Sequence, residues 1–298
     1  MKILCVGNVY NDFIMQVSSF PIENIETKIN NKIECIGGAA SNAAYLLGKW
    51  DSDVYFAGVV GNDEFGKKIK DDFEMVNVNT DYLKISNEKS NTNFKIGNQE
   101  NKKITILTFN PQNNKLDDFE LEFEPDILLF DGGEYDFSKN LIEKYPSAIS
   151  IISAETYSEN TISLAKKVDY IVCSKKVAEE LSNIKIDYNN NVTLEKLYKT
   201  IKNIFHGMII VTLEEKGCLY EIDNNIKQMA SIKVDVVDST YACDIFCGAF
   251  TYGISKQMDF EQILKLSNIT AGLSVSRIGS RHSIFSLEEI REYYHELK

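Results

Sequence analysis

Gly58-Val59-Val60-Gly61-Asn62-Asp63-Glu64-Phe65-Gly66 is a change of period written in nine residues. Ahead of it, Asp53–Val60 is an apolar, β-rich run of the kind that fills a buried strand. Behind it, Phe65, Ile69, Phe73 and Val76 recur at i, i+4, i+8 and i+11, one face of a helix over Asp63–Val76. The glycines punctuate the turn, and Asn62 or Asp63 is available to cap the helix. A buried strand that turns at once into an amphipathic helix is the repeating unit of a mostly parallel sheet covered on both faces.

The unit recurs along the chain. Lys2–Val6 reads as a strand, and Ser41–Lys49 as a helix with Ala43, Ala44, Leu46 and Leu47 behind a Ser41 cap. Further strands are expected at Ile127–Phe130, Ile149–Ser153, Tyr170–Cys173 and Met208–Leu213, separated by helices such as Thr193–Phe205. Ser286–Leu297 carries Leu287, Ile290, Tyr294 and Leu297 at helical spacing and reads as a packing helix. Two stretches break the rhythm: Phe13–Ile36, with polar–apolar alternation, and Thr80–Phe109, with strand-like pieces at Tyr82–Ile85, Asn93–Ile96 and Ile104–Phe109. Both suit an antiparallel flap with one solvated face. The sequence has no Ser/Pro/Gly linker, low-complexity tract or internal repeat, so the flap (about 13–36 and 80–110) is expected as an insertion into one domain spanning 1–298.

Composition bounds the function. The 298 residues are 44% hydrophobic and 26% charged, the profile of a globular protein, with a net charge of −12. So acidic a surface repels phosphate backbones and anionic lipid, which argues against nucleic acid and membrane as partners. Apolar stretches fall far short of the ~20 residues that span a bilayer, and the start lacks the roughly 7–15-residue core of a secretory signal. The six cysteines form no C-x-x-C and read as buried reduced thiols, while His206, His282 and His295 lack ligand spacing. A cytoplasmic protein is expected.

Two motifs carry chemistry. Gly37-Gly38-Ala39-Ala40-Ser41-Asn42 opens the first helix. Paired glycines let backbone N–H groups approach a ligand, and Asn42 can offer its amide to hydroxyls; a tight turn before a helix is the plainer reading. Asp238-Ser239-Thr240-Tyr241-Ala242-Cys243-Asp244 precedes the apolar helix Ile245–Ile254. Free amides and the helix dipole favour a transferring phosphoryl group there, and Asp244 is placed to take a proton from an attacking hydroxyl. An Asp in a first turn also simply stabilises its helix. Cys243, near the helix start, is expected to have a lowered pKa. Asp131-Gly132-Gly133-Glu134 follows a strand and is a turn or a substrate contact. Arg277, Arg281 and His282 read as a small basic patch, either a solvated loop or an approach to nucleotide.

Taken in order, these pieces resemble the ribokinase/PfkB family of sugar kinases over nearly the whole chain. Gly58–Gly66 matches the family's G-x-V-G-x-D-x-F-G segment at every fixed position. Gly37, Gly38 and Asn42 resemble its first signature, Asp12 its sugar-holding aspartate, and Asp238–Asp244 stands where D-T-x-G-A-G-D is expected. Val211–Gly217 resembles V-T-x-G-x-x-G, and Asn268 lies in a segment like the helix bordering adenine. The resemblance implies a ribokinase-like three-layer α/β sandwich with a small antiparallel lid, and ATP- and Mg2+-dependent phosphorylation of a sugar-like hydroxyl. It implies Asp244 as base, an anion hole of the Tyr241, Ala242 and Cys243 amides, acceptor binding by Asp12, Gly37, Gly38 and Asn42, and nucleotide binding by Thr212, Glu214, Gly217 and Asn268. It also implies a homodimer through the lid.

The departures from the pattern fall on the nucleotide side. Tyr241 and Cys243 replace glycines, and a left-handed backbone there would cost on the order of 1–2 kcal/mol; the Tyr ring is also placed to fill the phosphate space. Glu214 replaces the glycine of T-x-G. The magnesium-organising N-x-x-E appears as Ser174-Lys175-Lys176-Val177, with Glu179 or Glu180 as substitutes, and no metal ligand is assigned. The sugar half thus reads as intact and the nucleotide half as eroded, which leaves two hypotheses: a working kinase, or a pseudokinase that binds a metabolite without phosphoryl transfer.

Overall fold

The structure, a computed structural model, describes residues 1–98, 104–111, 114–188 and 190–296. In chain order the elements are β1 (Lys2–Val6), β2 (Tyr10–Val17), β3 (Asn31–Gly37), α1 (Ala39–Lys49), β4 (Asp53–Gly61), α2 (Glu64–Glu74), β5 (Leu83–Ser86), β6 (Thr92–Asn98) and β7 (Ile104–Phe109). Then follow β8 (Ile127–Phe130), α3 (Tyr135–Lys144), β9 (Ile149–Ala154), α4 (Glu159–Ala165), β10 (Tyr170–Ser174), α5 (Lys175–Ser182) and α6 (Asn191–Lys202). β11 (Met208–Thr212), β12 (Cys218–Ile222), β13 (Asn225–Met229), α7 (Ala242–Ser255), α8 (Phe260–Ser274) and α9 (Leu287–Glu296) complete the set.

Nine strands form one sheet in the order β13-β12-β11-β10-β9-β8-β1-β4-β5. Every pairing from β5 to β11 is parallel, and β12 and β13 add an antiparallel hairpin at the edge. The near-continuous apolar strands are explained by two cores. Along β1, Ile3 and Cys5 face one core with α1, α2, α7 and α8, while Leu4 and Val6 face the other with α3, α4, α5 and α6. Strands buried on both faces cannot alternate with polar residues.

At the α2 junction, Asp63 is the cap, its Oδ1 accepting from Gly66 N at 2.9 Å. Ser41 is not a cap: Gly38 holds that place with φ 105°, and a Cβ there would lie 2.2 Å from the carbonyl oxygen of Asn8, so glycine is required. In α9, Ile290 is buried; the side chain of Tyr294 and all of Leu297 lie outside the described residues.

The second sheet, β3-β2-β6-β7, is the lid. It is antiparallel at β2–β3 and β6–β7, and parallel at β2–β6. The piece expected at Tyr82–Ile85 is not part of it: as β5 it pairs with β4 at the edge of the large sheet. An edge strand with one solvated flank alternates as a flap strand does, and Leu83 marks its buried side.

β1 lies between β4 and β8, so the strand order reverses there. Ligands of open α/β sheets bind beyond the carboxyl ends of strands at such a switch point. Three residues separate β1 from β2 of the lid, and the turns after β8 and β9 open at the same edge.

Candidate active site

Register brings the lid's polar side chains together. Asp12 stands across from Cys35 on β3 and Asn93 on β6, and Asn93 across from Thr108 on β7. Opposed residues share a face, and here it is the face that meets α7. Asn93 Nδ2 donates to Asp12 Oδ1 at 2.9 Å, and Thr108 Oγ1 to Asn93 Oδ1 at 2.8 Å. Gly37 lies so close to Asp12 that a Cβ would meet its Oδ2 at 2.2 Å. From α1, Asn42 Nδ2 donates to Asp244 Oδ2 at 2.6 Å, joining the first helix to the first turn of α7. Asp12, Asn42 and Asp244 are all buried.

Tyr241 does not occupy phosphate space. Its side chain turns toward the lid, where its hydroxyl donates to Asp12 Oδ2 at 2.8 Å and lies 3.1 Å from Cys35 Sγ. Lys95 Nζ lies 2.7 Å from the same Asp12 oxygen and 4.5 Å from the centre of the Tyr241 ring. Nor is the backbone strained: Tyr241 has φ −114°, and neither Ala242 nor Cys243 adopts positive φ. The substitution that the sequence assigns to the nucleotide half therefore bonds to Asp12 on the lid. Burial, with Asp12's charge beside it, drives the Tyr241 phenol far above its ordinary pKa, so it stays a donor.

Two further acidic groups complete the cluster: Glu155, absent from the sequence reading, and Asp131, of the turn read there as a possible substrate contact. Burial and the charge of Asp244 raise Glu155, just after β9, well above the carboxylate range; Asp244 is itself raised, first by burial. The pair shares a proton that Glu155 holds the more strongly, while Asn42 and Lys95 favour ionised Asp244. Asp131, after β8, is pushed up to about 7 by burial, although it accepts from the backbone N–H groups of Gly133, Ala40 and Asn8. Nothing in the sequence period marks Glu155; its position at a strand's carboxyl end is the available signal.

Among the residues that the resemblance assigns to the nucleotide, Thr212 Oγ1 lies 3.6 Å from Cys243 Sγ, in contact with the first turn of α7. Cys243 is not an activated thiol: burial and the charges of Glu155 and Asp244 raise its pKa well above the ordinary value, overriding the helix N-terminus. The Ala242 amide already donates to Ser239 O at 3.3 Å. Glu214 sits beside Gly217 in a tight turn at φ 56° and pairs with Lys175 at 3.3 Å. Asn268 is buried, its Nδ2 donating to Cys218 Sγ. Ser174 caps α5, and Glu179 is held by Ile186 N and Lys185, away from a magnesium role. Among the described residues, no group of three or more His, Cys, Asp or Glu side chains is arranged to hold a metal, so the residues do not fit a resident ion.

Of the C-terminal basic residues, His282 is exposed and Arg277 is part-exposed, as a solvated loop requires, and Arg281 departs from that reading. Arg277 pairs with Glu289 and covers Phe285, and Arg281 is buried behind Asn42.

An open parallel sheet, a lid beside it, and an aspartate in the first turn of the helix facing that lid define a ribokinase-like α/β protein. The chain belongs to the pfkB family: the profile of the pfkB family carbohydrate kinase matches residues 1–286. A ribokinase of Staphylococcus aureus (strain COL) is 26% identical over 312 residues, covering 98% of this chain and 99% of the relative. The Thermotoga maritima ribokinase superposes with TM-score 0.83 at 24% identity, covering 99% of both chains. The Arabidopsis thaliana ribokinase complexed with ribose and ATP superposes with TM-score 0.77 at 18% identity, covering 98% of this chain and 97% of that one. Among the described residues, no helix is long and apolar enough to cross a membrane.

Proposed function

We propose that this chain, working as one domain under its lid in the cytoplasm, transfers the γ-phosphoryl group of ATP to a hydroxyl of a sugar-like small molecule. The observation that carries the reading is Asp244, buried in the first turn of α7 near Asp12 and oriented by Asn42. The acceptor hydroxyl gives its proton to Asp244 as its oxygen attacks the γ-phosphorus, and the bond to the bridging oxygen breaks to release ADP. Amides of the Tyr241–Asp244 turn and the positive end of α7 answer the charge on the transferring group, with the Ala242 amide partly committed to Ser239. Mg2+ enters with ATP as part of that substrate, and Thr212, Glu214, Gly217 and Asn268 border the nucleotide.

Asp12, Gly37, Gly38 and Asn42 hold the acceptor. Asp12 takes donors from Asn93, Lys95 and Tyr241, and a carboxylate offers about four acceptor sites. An acceptor hydroxyl therefore joins at Oδ1 or takes the place of the Tyr241 hydroxyl. The apolar, exposed β7 supports a homodimer through the lid. A pseudokinase reading rests on the altered glycines, and the unstrained backbone at Tyr241 and Cys243 weighs against it.

The test is ADP release from ATP across a panel of pentoses, hexoses and nucleosides, followed by Asp244→Asn. Loss of a general base lowers turnover by about 10²–10⁴-fold. Calorimetric acceptor affinity should change little. An Asp244→Asn enzyme near the wild-type rate removes Asp244 from the chemistry.

A further inference from the structure

We infer that Arg281 is a positioning residue for Asp244, acting through the side-chain amide of Asn42. The inference rests on the kinase reading only for the consequence to turnover; the geometry stands by itself. Arg281 lies in the short 3-10 turn Arg281–Ser283 ahead of α9, and is 7% exposed. Its Nε donates to Asp72 Oδ2 at 3.0 Å, its Nη2 to Ser41 Oγ at 2.8 Å, and its Nη1 to Ser41 O at 2.9 Å and to Asn42 Oδ1 at 3.0 Å. The rings of Tyr45 and Phe73 flank the guanidinium, with centroids 4.5 and 5.4 Å away. An unbroken chain therefore runs Asp72–Arg281–Asn42–Asp244.

The chain fixes which way the Asn42 amide points. An amide has an acceptor end and a donor end, whereas a guanidinium can only donate. With Oδ1 held by Arg281, Nδ2 must face Asp244, where it donates at 2.6 Å. A flipped amide would set Oδ1 against a carboxylate oxygen and NH2 against the guanidinium, a loss at both ends in a site without solvent. Asp72 on α2 balances the buried charge, and Ser41 fixes the plane of the fork. A lysine is a single donor centre and cannot span Asp72, Ser41 and Asn42 together.

The readout is the acid limb of the rate profile. Several other groups bear on Asp244: Asp12 on β2, Lys95 on β6, Asp131 after β8, Glu155 after β9, and Cys243 and Cys247 on α7. Arg281 is faced by Asp72, Tyr45 and Cys35, and Asp72 in turn by Lys68 and His282. A double-mutant cycle separates the Arg281–Asn42 link from this background. Arg281→Lys is expected to move the acid limb of kcat upward, so that kcat on the acid side of the limb falls about tenfold for each pH unit of displacement. The same substitution in an Asn42→Ala background should leave the limb in place. An unmoved limb in Arg281→Lys, or an equal shift without Asn42, overturns the inference. If Arg281→Lys does not fold, Asp72→Asn loosens the same clamp and should shift the limb the same way by less; no shift there overturns it equally.

A carbon-13 titration of the Asp244 carboxyl is independent of turnover. If the wild type releases no ADP with any acceptor, yet its Asp244 titration moves upward in Arg281→Lys, the kinase reading fails and the positioning role stands. If the wild type turns over and the titration does not move, the positioning role fails alone.

Discussion

Asp131 is the residue whose burial has the clearest consequence outside catalysis. Three backbone N–H groups donate to it, yet burial still raises it from the ordinary carboxylate range to about 7. In the unfolded chain the same carboxyl titrates near 3.9. Between those values the folded protein holds a proton that the unfolded chain has released. Its stabilising contribution is therefore complete below about pH 4 and is lost as pH rises through about 7. Asp131→Asn, which cannot ionise, should shrink the fall in melting temperature between pH 5 and pH 8. Glu155 is raised in the same direction, so part of the fall should remain. Equal melting temperatures for the wild type at the two pH values would contradict this account.

At the scale of elements, the turn between β11 and β12 stores the strain that the sequence placed at Tyr241 and Cys243. Glu214 there has φ 56°, a left-handed conformation costing a non-glycine residue roughly 1–2 kcal/mol. Its own side chain is 64% exposed, so the pair with Lys175 returns little. Glu214→Gly relieves the strain but adds unfolded-chain entropy of roughly 0.5–1 kcal/mol, so a small rise in melting temperature is expected, with a lower KM for ATP as the carboxylate leaves the phosphate side. A fall in melting temperature would place the strain elsewhere. The same contrast explains what was legible in the sequence. Period and caps are local, so β1, β4 and β8 to β11 of the large sheet, the Asp63 cap, and the β6 and β7 pieces of the lid can be read directly, whereas the edge hairpin of β12 and β13 is not among the expected strands. β5 is missed because an edge strand alternates like a flap strand. The direction of Tyr241 is missed because its partner Asp12 is 229 positions away. Glu155 is missed, and Arg281 is read as part of a basic patch, for the same reason: burial and long-range partners, not spacing, set their surroundings.

For the whole molecule, the lid is the region that one chain leaves unfinished. β7 ends the small sheet, and its apolar side chains stand in solvent on both faces: Ile104 at 52%, Ile106 at 53%, Leu107 at 55% and Phe109 at 50%. An exposed apolar edge strand is a template for pairing, and natural proteins commonly cover one or guard it with charge. Closure by a second copy's lid would bury these residues while leaving the −12 net charge of each chain over the remaining surface. Repulsion between two such chains is screened by salt, so the dimer should tighten as ionic strength rises. Ile106 lies across from Lys95 on β6, and Ile106→Lys would set two ammonium groups side by side on one face. Light scattering coupled to size exclusion should give about twice the chain mass for the wild type and the single-chain mass for Ile106→Lys, with the melting transition of the variant retained. A wild-type protein that stays at single-chain mass at high concentration and high salt rejects the lid-paired dimer, because under those conditions no charge remains to hold the two apolar edges apart.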